Sequence, residues 1–355
     1  MTQSDNYEAA VSSADTTVAE FEDHRRGIVG QVQHTLHQTP SLVPLIVLIF
    51  SIALFGILLG SRFFSPFALT LILQQVQIVG VLAAAQTLII LTAGIDLSVG
   101  AIAVLCTVVM GKATFQYGVP PAVSVAIGLT VGTALGAISG WLVSRMKLPP
   151  FIVTLGMWQI VLAANYLYSA NETIRSQDIE AKAAFLQFLG TKINIGGAVF
   201  TFGVLGMIAL FVGLAYALRS TAWGRHVYAV GDDPEAAELS GVDVHRTYMS
   251  VYMVAGFICA LAGWVMIGRF GSISPSATTG VIGNIQSITA VVIGGISLFG
   301  GRGSIAGALF GALIVGVFEL GLRMAGADPQ WTFMLIGMLI IAAVAVDQWI
   351  RKVAA

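Results

Sequence analysis

The chain has 355 residues, of which 57% are apolar and only 10% charged, and its formal net charge is −1. An average soluble domain carries about 25% charged residues, so this is the composition of a membrane protein, and the near balance of 17 basic and 18 acidic residues gives no ground for a nucleic-acid partner. The two cysteines, Cys106 and Cys259, sit inside apolar runs where a free thiol behaves as a small hydrophobe, so neither a disulfide framework nor a metal site is indicated.

Residues 1–40 form a polar, acidic tail, expected to be disordered up to about Ala19. Beyond it Ile28, Val29, Val32 and Leu36 share one helical face behind His24, Arg25 and Arg26, the pattern of a helix lying in the cytoplasmic interface. His34 and His37 on that helix have no third ligand nearby and read as interfacial polar residues. The first apolar run begins some forty residues in and is long enough to span, which predicts an uncleaved anchor rather than a signal peptide.

Residues 41–355 read as one transmembrane domain. At about 20 apolar residues per span, ten spans are predicted: 42–60, 67–91, 97–115, 121–143, 150–170, 198–218, 248–268, 283–299, 304–322 and 331–349. With the N-terminus inside, the cytoplasmic side collects ten of the seventeen basic residues, and Arg145 with Lys147 and Arg351 with Lys352 stand beside span ends, where the positive-inside rule weighs most. Both termini and the polar stretch 219–247 are therefore expected in the cytoplasm, and the loop 171–197 outside.

Glycine is the second signal, 40 residues in all. Gly128, Gly132, Gly136 and Gly140 recur every fourth residue, as do Gly303, Gly307 and Gly311. Such stripes let helix backbones approach closely, which predicts contacts within the subunit or across a dimer; a glycine-lined pore is the alternative. The segment AGIDLSVGAI at 93–102 echoes GGISLFGGRG at 294–303, and in both, glycines interrupt an apolar run as in a broken or re-entrant helix. The sense of this repeat stays open.

Ionisable groups at membrane depth are costly unless they cap, pair or line water. Asp96, in the first break, is placed to cap the third span; Glu319 lies near the end of the ninth. Either alternatively marks a translocation route. Gln74, Gln86, Asp96, Trp158, Gln159, Asn165, Asn284 and Gln286 are the candidates for a substrate path, with Gln75 and Gln77 beside them, and the uncharged ones among them suit a neutral polyhydroxylated solute better than an ion. Hydrogen bonding between helices is the competing use of each. In the outer loop, Ile179, Phe185, Leu186 and Leu189 suggest an apolar stripe on a short helix, either a place of solute delivery or a helix at the membrane surface.

The stretch 219–247 is the longest polar interruption between two spans. Within it Asp233 suits the N-cap, Pro234 the first helical position and Gly241 the left-handed residue after the helix, which predicts a short exposed helix over 234–240 with Glu235 in its first turn. Two turns do not hold by themselves, so the helix is either a docking element or an ordinary solvated loop helix. Catalytic motifs are absent: near Gly111-Lys112, Cys106 replaces the first glycine of a P-loop and Ala113 its hydroxyl residue, and Gly301-Arg302-Gly303 opens a span rather than following a strand. If ATP drives the protein, the ATPase is another chain.

EAAELSG at 235–241 resembles the loop by which permease subunits of ABC importers engage their ATPase. Together with LTAGIDLSVGAI at 91–102, YAVGDDPEAAELSGVDV at 228–244 and VVIGGISLFGGRGSIAGALFGALIVG at 291–316, it makes residues 63–349 similar to the ribose/xylose/fructose branch of monosaccharide ABC permeases. One departure is Asp232-Asp233, where relatives commonly have Gly-Asn. The resemblance implies an all-α permease of the type II importer kind with about ten transmembrane helices in the bacterial inner membrane. It implies a homodimer working with a periplasmic sugar-binding protein and a cytoplasmic ATP-binding subunit that uses ATP and Mg, with no cofactor in this chain. It also implies that Asp233, Pro234, Glu235, Ala236, Ala237, Leu239 and Gly241 form the ATPase-coupling loop. Two other classes stand against it: a secondary transporter using Asp96 or Glu319 as its coupling carboxylate, and a membrane-embedded regulatory subunit without solute flux.

Overall fold

Each long apolar run becomes a helix whose ends are set by the polar residues, prolines and glycines beside it. The structure, a computed structural model, describes residues 41–351; the expected interfacial helix with His34 and His37 lies outside the described residues. The helices are α1 (Leu42–Leu59), α2 (Pro66–Leu91), α3 (Val99–Phe115), α4 (Pro121–Ser144), α5 (Pro150–Ser169), α6 (Ser176–Lys182), α7 (Phe202–Ser220), α8 (Ala222–Asp232), α9 (Pro234–Leu239), α10 (Val244–Phe270), α11 (Ala277–Ile293), α12 (Ile305–Met324) and α13 (Pro329–Arg351). By length and composition α1, α2, α4, α5, α7, α10 and α12 suffice to cross a membrane, and α3, α11 and the Gln330–Ala345 part of α13 are shorter apolar helices. Each of the ten expected spans thus has its helix.

Three boundaries move. Residues 198–201, expected to open the sixth span, form strand β2 (Ala198–Thr201), paired antiparallel with β1 (Lys192–Ile195) across Gly196 and Gly197, whose φ angles of 59° and 83° suit a tight hairpin turn. The eighth span is shifted toward the N-terminus: Ser276 caps α11 by accepting from Thr279 N (3.4 Å), and the chain leaves the helix at Gly294. Counting apolar residues carried that span through to 299, but Gly295, Gly300, Gly301 and Gly303 all have positive φ and cannot continue a right-handed helix. Gly303 therefore precedes α12, which Ser304 caps by accepting from Gly307 N (3.1 Å).

The core is built on α2 and α10: α10 packs on α4, α2 and α3, and α12 on α2, α11 and α1. Gly128, Gly132, Gly136 and Gly140 are all buried in the α4 seam. A Cβ at Gly132 would lie 2.6 Å from the Gly256 carbonyl oxygen, and one at Gly136 would overlap the Tyr252 carbonyl, so α4 and α10 meet backbone to backbone. Gly307 and Gly311 meet Gly294 and Ala290 of α11 in the same way. The stripes join helices within the subunit and line no pore. Gly132→Leu or Gly307→Leu is expected to cost about 1–3 kcal/mol or more through overpacking. Detergent-extracted variants should give a reduced monodisperse peak on size exclusion; normal yield would place these seams elsewhere.

The molecule has two distinct ends. At one, His245 Nδ1 lies 2.7 Å from Ser144 Oγ, which brings the close of α4 to the start of α10 beside the 219–247 segment. At the other, residues Ile174 and Ile273 form a β-bridge and Gln187 Nε2 donates to Gly271 O (2.7 Å), fastening the 171–197 loop to the end of α10. The expected apolar stripe of that loop is divided between α6 and the 3-10 turn Ala184–Gly190. Ile179, Leu186 and Leu189 are buried in the core, and only Phe185 is exposed, so the stripe is used for internal packing and is not a docking face. Single cysteines at the exposed positions Ser240 and Gln177, in a background lacking Cys106 and Cys259, should label with an impermeant thiol reagent from opposite sides of the membrane. Same-side labelling would contradict this arrangement.

Candidate functional site

The 219–247 segment holds two helices rather than one. Thr221 caps α8 by accepting from Gly224 N (3.2 Å), and Trp223, Val227 and Val230 fall on one face at helical spacing. Val227 and Val230 are buried, and Trp223 Nε1 donates to Ser250 Oγ of α10 (2.8 Å). That periodicity is present in the sequence but is interrupted by polar residues, Arg225, His226 and Asp232.

The far end of α8 reaches both glycine breaks. Tyr228 OH donates to Gly303 O (3.0 Å), and Gly301 N donates to Leu91 O (3.0 Å), joining the second break to the first. Gly231 sits against this junction: any Cβ there would overlap Leu91 O and lie 2.7 Å from Gly301 N. Glycine is the residue that admits such an approach. Both breaks thus lie at the end of the molecule that carries α8.

Directly after α8 comes α9. Asp233 Oδ1 accepts from Glu235 N (2.9 Å) and Ala236 N (3.0 Å), with Pro234 at the first helical position. The helix closes one residue earlier than expected: Ser240 lies outside it, and Gly241, at φ 86°, turns the chain so that Val242 N donates to Ala237 O (3.0 Å). Ala237 is buried, while Pro234, Glu235, Ala236 and Leu239 are exposed, Leu239 at 91%. The result is a small capped helix held at both flanks, with an exposed apolar tip.

The substrate-path candidates separate into three groups. In the first break, Asp96 Oδ1 accepts from both Ser98 N and Ser98 Oγ at 2.6 Å. Asp96 therefore closes a turn inside the break, and Ser98, not Asp96, occupies the N-cap of α3. Gln86, with its amide oriented to satisfy both partners, donates to Asp96 O (3.0 Å) and accepts from Asp96 N (3.2 Å). Thr154 Oγ1 donates to Ile95 O (2.9 Å). Asn284 of α11 bridges the break, donating to Leu97 O and accepting from Gly100 N (2.9 Å). The irregular backbone at membrane depth is satisfied by buried side chains, as such backbone must be.

The second group surrounds Glu319. Its Oε2 accepts from Gln75 Nε2 (2.9 Å) and Gln286 Nε2 (3.1 Å), and its Oε1 pairs with Arg323 (2.8 Å). The third is Trp158 with Asn165, both lining a small chamber between α3, α5 and α11. Gln74 and Gln159 join none of these groups; Gln159 is exposed and Gln74 half-buried.

Residues 68–344 match the family described as branched-chain amino acid transport system / permease component. The chain is 65% identical to the fructose import permease of Rhizobium meliloti over 352 residues, covering 99% of this chain and 97% of that protein. It is 34% identical to the ribose import permease of Escherichia coli strain K12 over 313 residues, 88% and 94% of the two chains. To the xylose transport system permease of the same strain it is 32% identical over 334 residues, 79% and 84% of the two. No solved structure matches it.

Proposed function

The chain belongs to the branched-chain amino acid transport system / permease component family, and from that premise we propose that it is the membrane-spanning subunit of an ATP-driven importer carrying a monosaccharide such as fructose, ribose or xylose. The relatives named for these sugars support the choice of solute. The observation that carries the mechanism is the α8–α9 unit, in which an exposed capped helix is continuous with a helix seated on both glycine breaks.

In this reading α9 is the coupling helix. Glu235 and Leu239 meet a cytoplasmic ATP-binding subunit, which uses ATP and Mg to supply the motion. Movement of α9 carries α8, because only Asp233 separates them. Through Gly231 and Tyr228 the movement reaches Leu91 and 300–303 together, so that α2, α3, α11 and α12, which end at these breaks, tilt as a set. A second copy of the chain completes the path, both termini and the α8–α9 end face the cytoplasm, and a periplasmic sugar-binding protein delivers solute at the hairpin end.

The three polar groups favour a neutral solute over an ion. The carboxylate of Glu319 is engaged by two amides and a guanidinium, and that of Asp96 by Ser98, leaving both tied into structure. The test is purification of the tagged chain from its native membranes. An ATP-binding chain should co-purify with the wild type and be lost in Leu239→Asp, which puts a charge on the exposed tip while leaving every span unaltered. Equal recovery of that chain with the variant would remove α9 from the interface; its absence from the wild-type preparation would overturn the reading.

A further inference from the structure

At the hairpin end of the molecule, residues 271–276 join α10 to α11 along a cleft of about 380 Å³. Its walls carry the hydroxyls of Thr107, Ser272, Ser274, Ser276 and Thr279, and its apolar side is formed with Phe270. Among the described residues none that lines it is charged. Thr107 Oγ1 is committed to Val104 O (2.7 Å) and Ser276 Oγ accepts from Thr279 N (3.4 Å), but the hydroxyls of Ser272 and Thr279 make no hydrogen bond among the described residues.

Val104 and Ser276 also line the chamber that holds Trp158 and Asn165, so cleft and chamber adjoin. In the chamber, Asn165 Nδ2 donates to Pro275 O (3.2 Å), which fixes the amide, while Asn165 Oδ1 is enclosed and has no partner. A buried acceptor without a donor costs about 1–3 kcal/mol; it is relieved by a donor no larger than a water, which is all the chamber admits. Neutral hydroxyls that both donate and accept, beside the aromatic ring of Phe270, match a monosaccharide better than a charged solute.

Resting on the transport reading above, we propose that this cleft is the first docking station for the sugar within the chain. Ser272, Ser274 and Thr279 form its rim, and Thr107 and Ser276 stand deeper on its walls. A sugar bound there stands beside α3 and α11, whose opposite ends form the glycine breaks, so it occupies the spans that the α8–α9 unit moves.

The experiment uses full-length chain in its complete complex in membrane vesicles, with a single cysteine at Ser274 in a background lacking Cys106 and Cys259. Saturating fructose or ribose should slow modification by an impermeant thiol reagent severalfold, whereas glycine betaine at equal osmolality should not. Thr279→Val, which removes an uncommitted hydroxyl of the cleft, should raise the sugar concentration for half-protection about tenfold. Should Ser274→Cys fail to assemble, Ser272→Cys gives the same readout on the same rim. Labelling that ignores sugar in a complex that still imports it would overturn the site. A wild-type complex that imports no sugar would instead overturn the transport reading on which the site rests.

Discussion

Sugar uptake is expected to fall by on the order of tenfold or more in Gly241→Val at matched membrane expression, with the permease still inserted. Gly241 ends α9 at φ 86°, a region that a β-branched residue strongly disfavours, at a cost of about 1–2 kcal/mol. A six-residue helix has no reserve of its own against such a cost, so its last turn and the Val242 to Ala237 hydrogen bond are lost. Glu235→Lys acts at the other end, replacing an anion by a cation against the positive N-terminus, worth about 0.3–1 kcal/mol. In both variants no span changes, so insertion is preserved, while ATP hydrolysis by the partner should cease to respond to sugar-loaded binding protein. Normal uptake in both would end the coupling role of α9. A secondary transporter gives the reverse pattern, indifferent to these changes and abolished by Asp96→Asn or by neutralising Glu319.

The second large effect is expected at Asn284. Among the described residues its amide is the sole side-chain bridge from α11 to the first break, reaching Leu97 O on one side and Gly100 N on the other. In Asn284→Leu both backbone groups become buried and unpaired, and each costs about 1–3 kcal/mol. The expected outcome is a permease that aggregates on extraction, or whose thermal midpoint drops clearly below wild type in a fluorescence-detected size-exclusion assay. An unchanged midpoint would mean that the break holds itself. Ser98 offers no substitute, since its N–H and hydroxyl are both held by Asp96.

What was legible in the sequence was local. Asp233, Pro234 and Gly241 act within a few residues of one another, so cap, first turn and terminator were readable from spacing, and the helix they predicted is present with its end moved by one residue. The ten apolar runs were equally plain. What escaped required tertiary pairing. Gln86 and Asp96, or Gly100 and Asn284 at 184 residues' separation, could be named as polar groups in spans but not as partners. The glycine stripe of α4 announced a close contact without saying that Gly256 of α10 was on the other side. The stripe at 179–189 was apolar for the interior, a use that composition cannot tell from docking. The shifted α11 reflects a limit of hydropathy: Ile296, Leu298 and Phe299 extend the apolar run, but the positive φ of the neighbouring glycines ends the helix.

The glycine breaks and α8 together explain why the polar stretch is so long. The proposed coupling role asks for an exposed contact and a rigid path inward; α9 has exposed residues, and α8 reaches the breaks from it. Gly231, buried where no side chain fits, is the point at which the two breaks and the 219–247 segment become one body. The account predicts that bulk there, as in Gly231→Leu, separates hydrolysis from transport even though residue 231 is buried.

The most direct test of the central claim is sugar accumulation in liposomes reconstituted with this chain, the ATP-binding chain that co-purifies with it and a sugar-loaded binding protein. Uptake should require all three together with ATP and Mg, and vanadate should stop it. Accumulation driven by a proton or sodium gradient in liposomes lacking the ATP-binding chain would contradict the account.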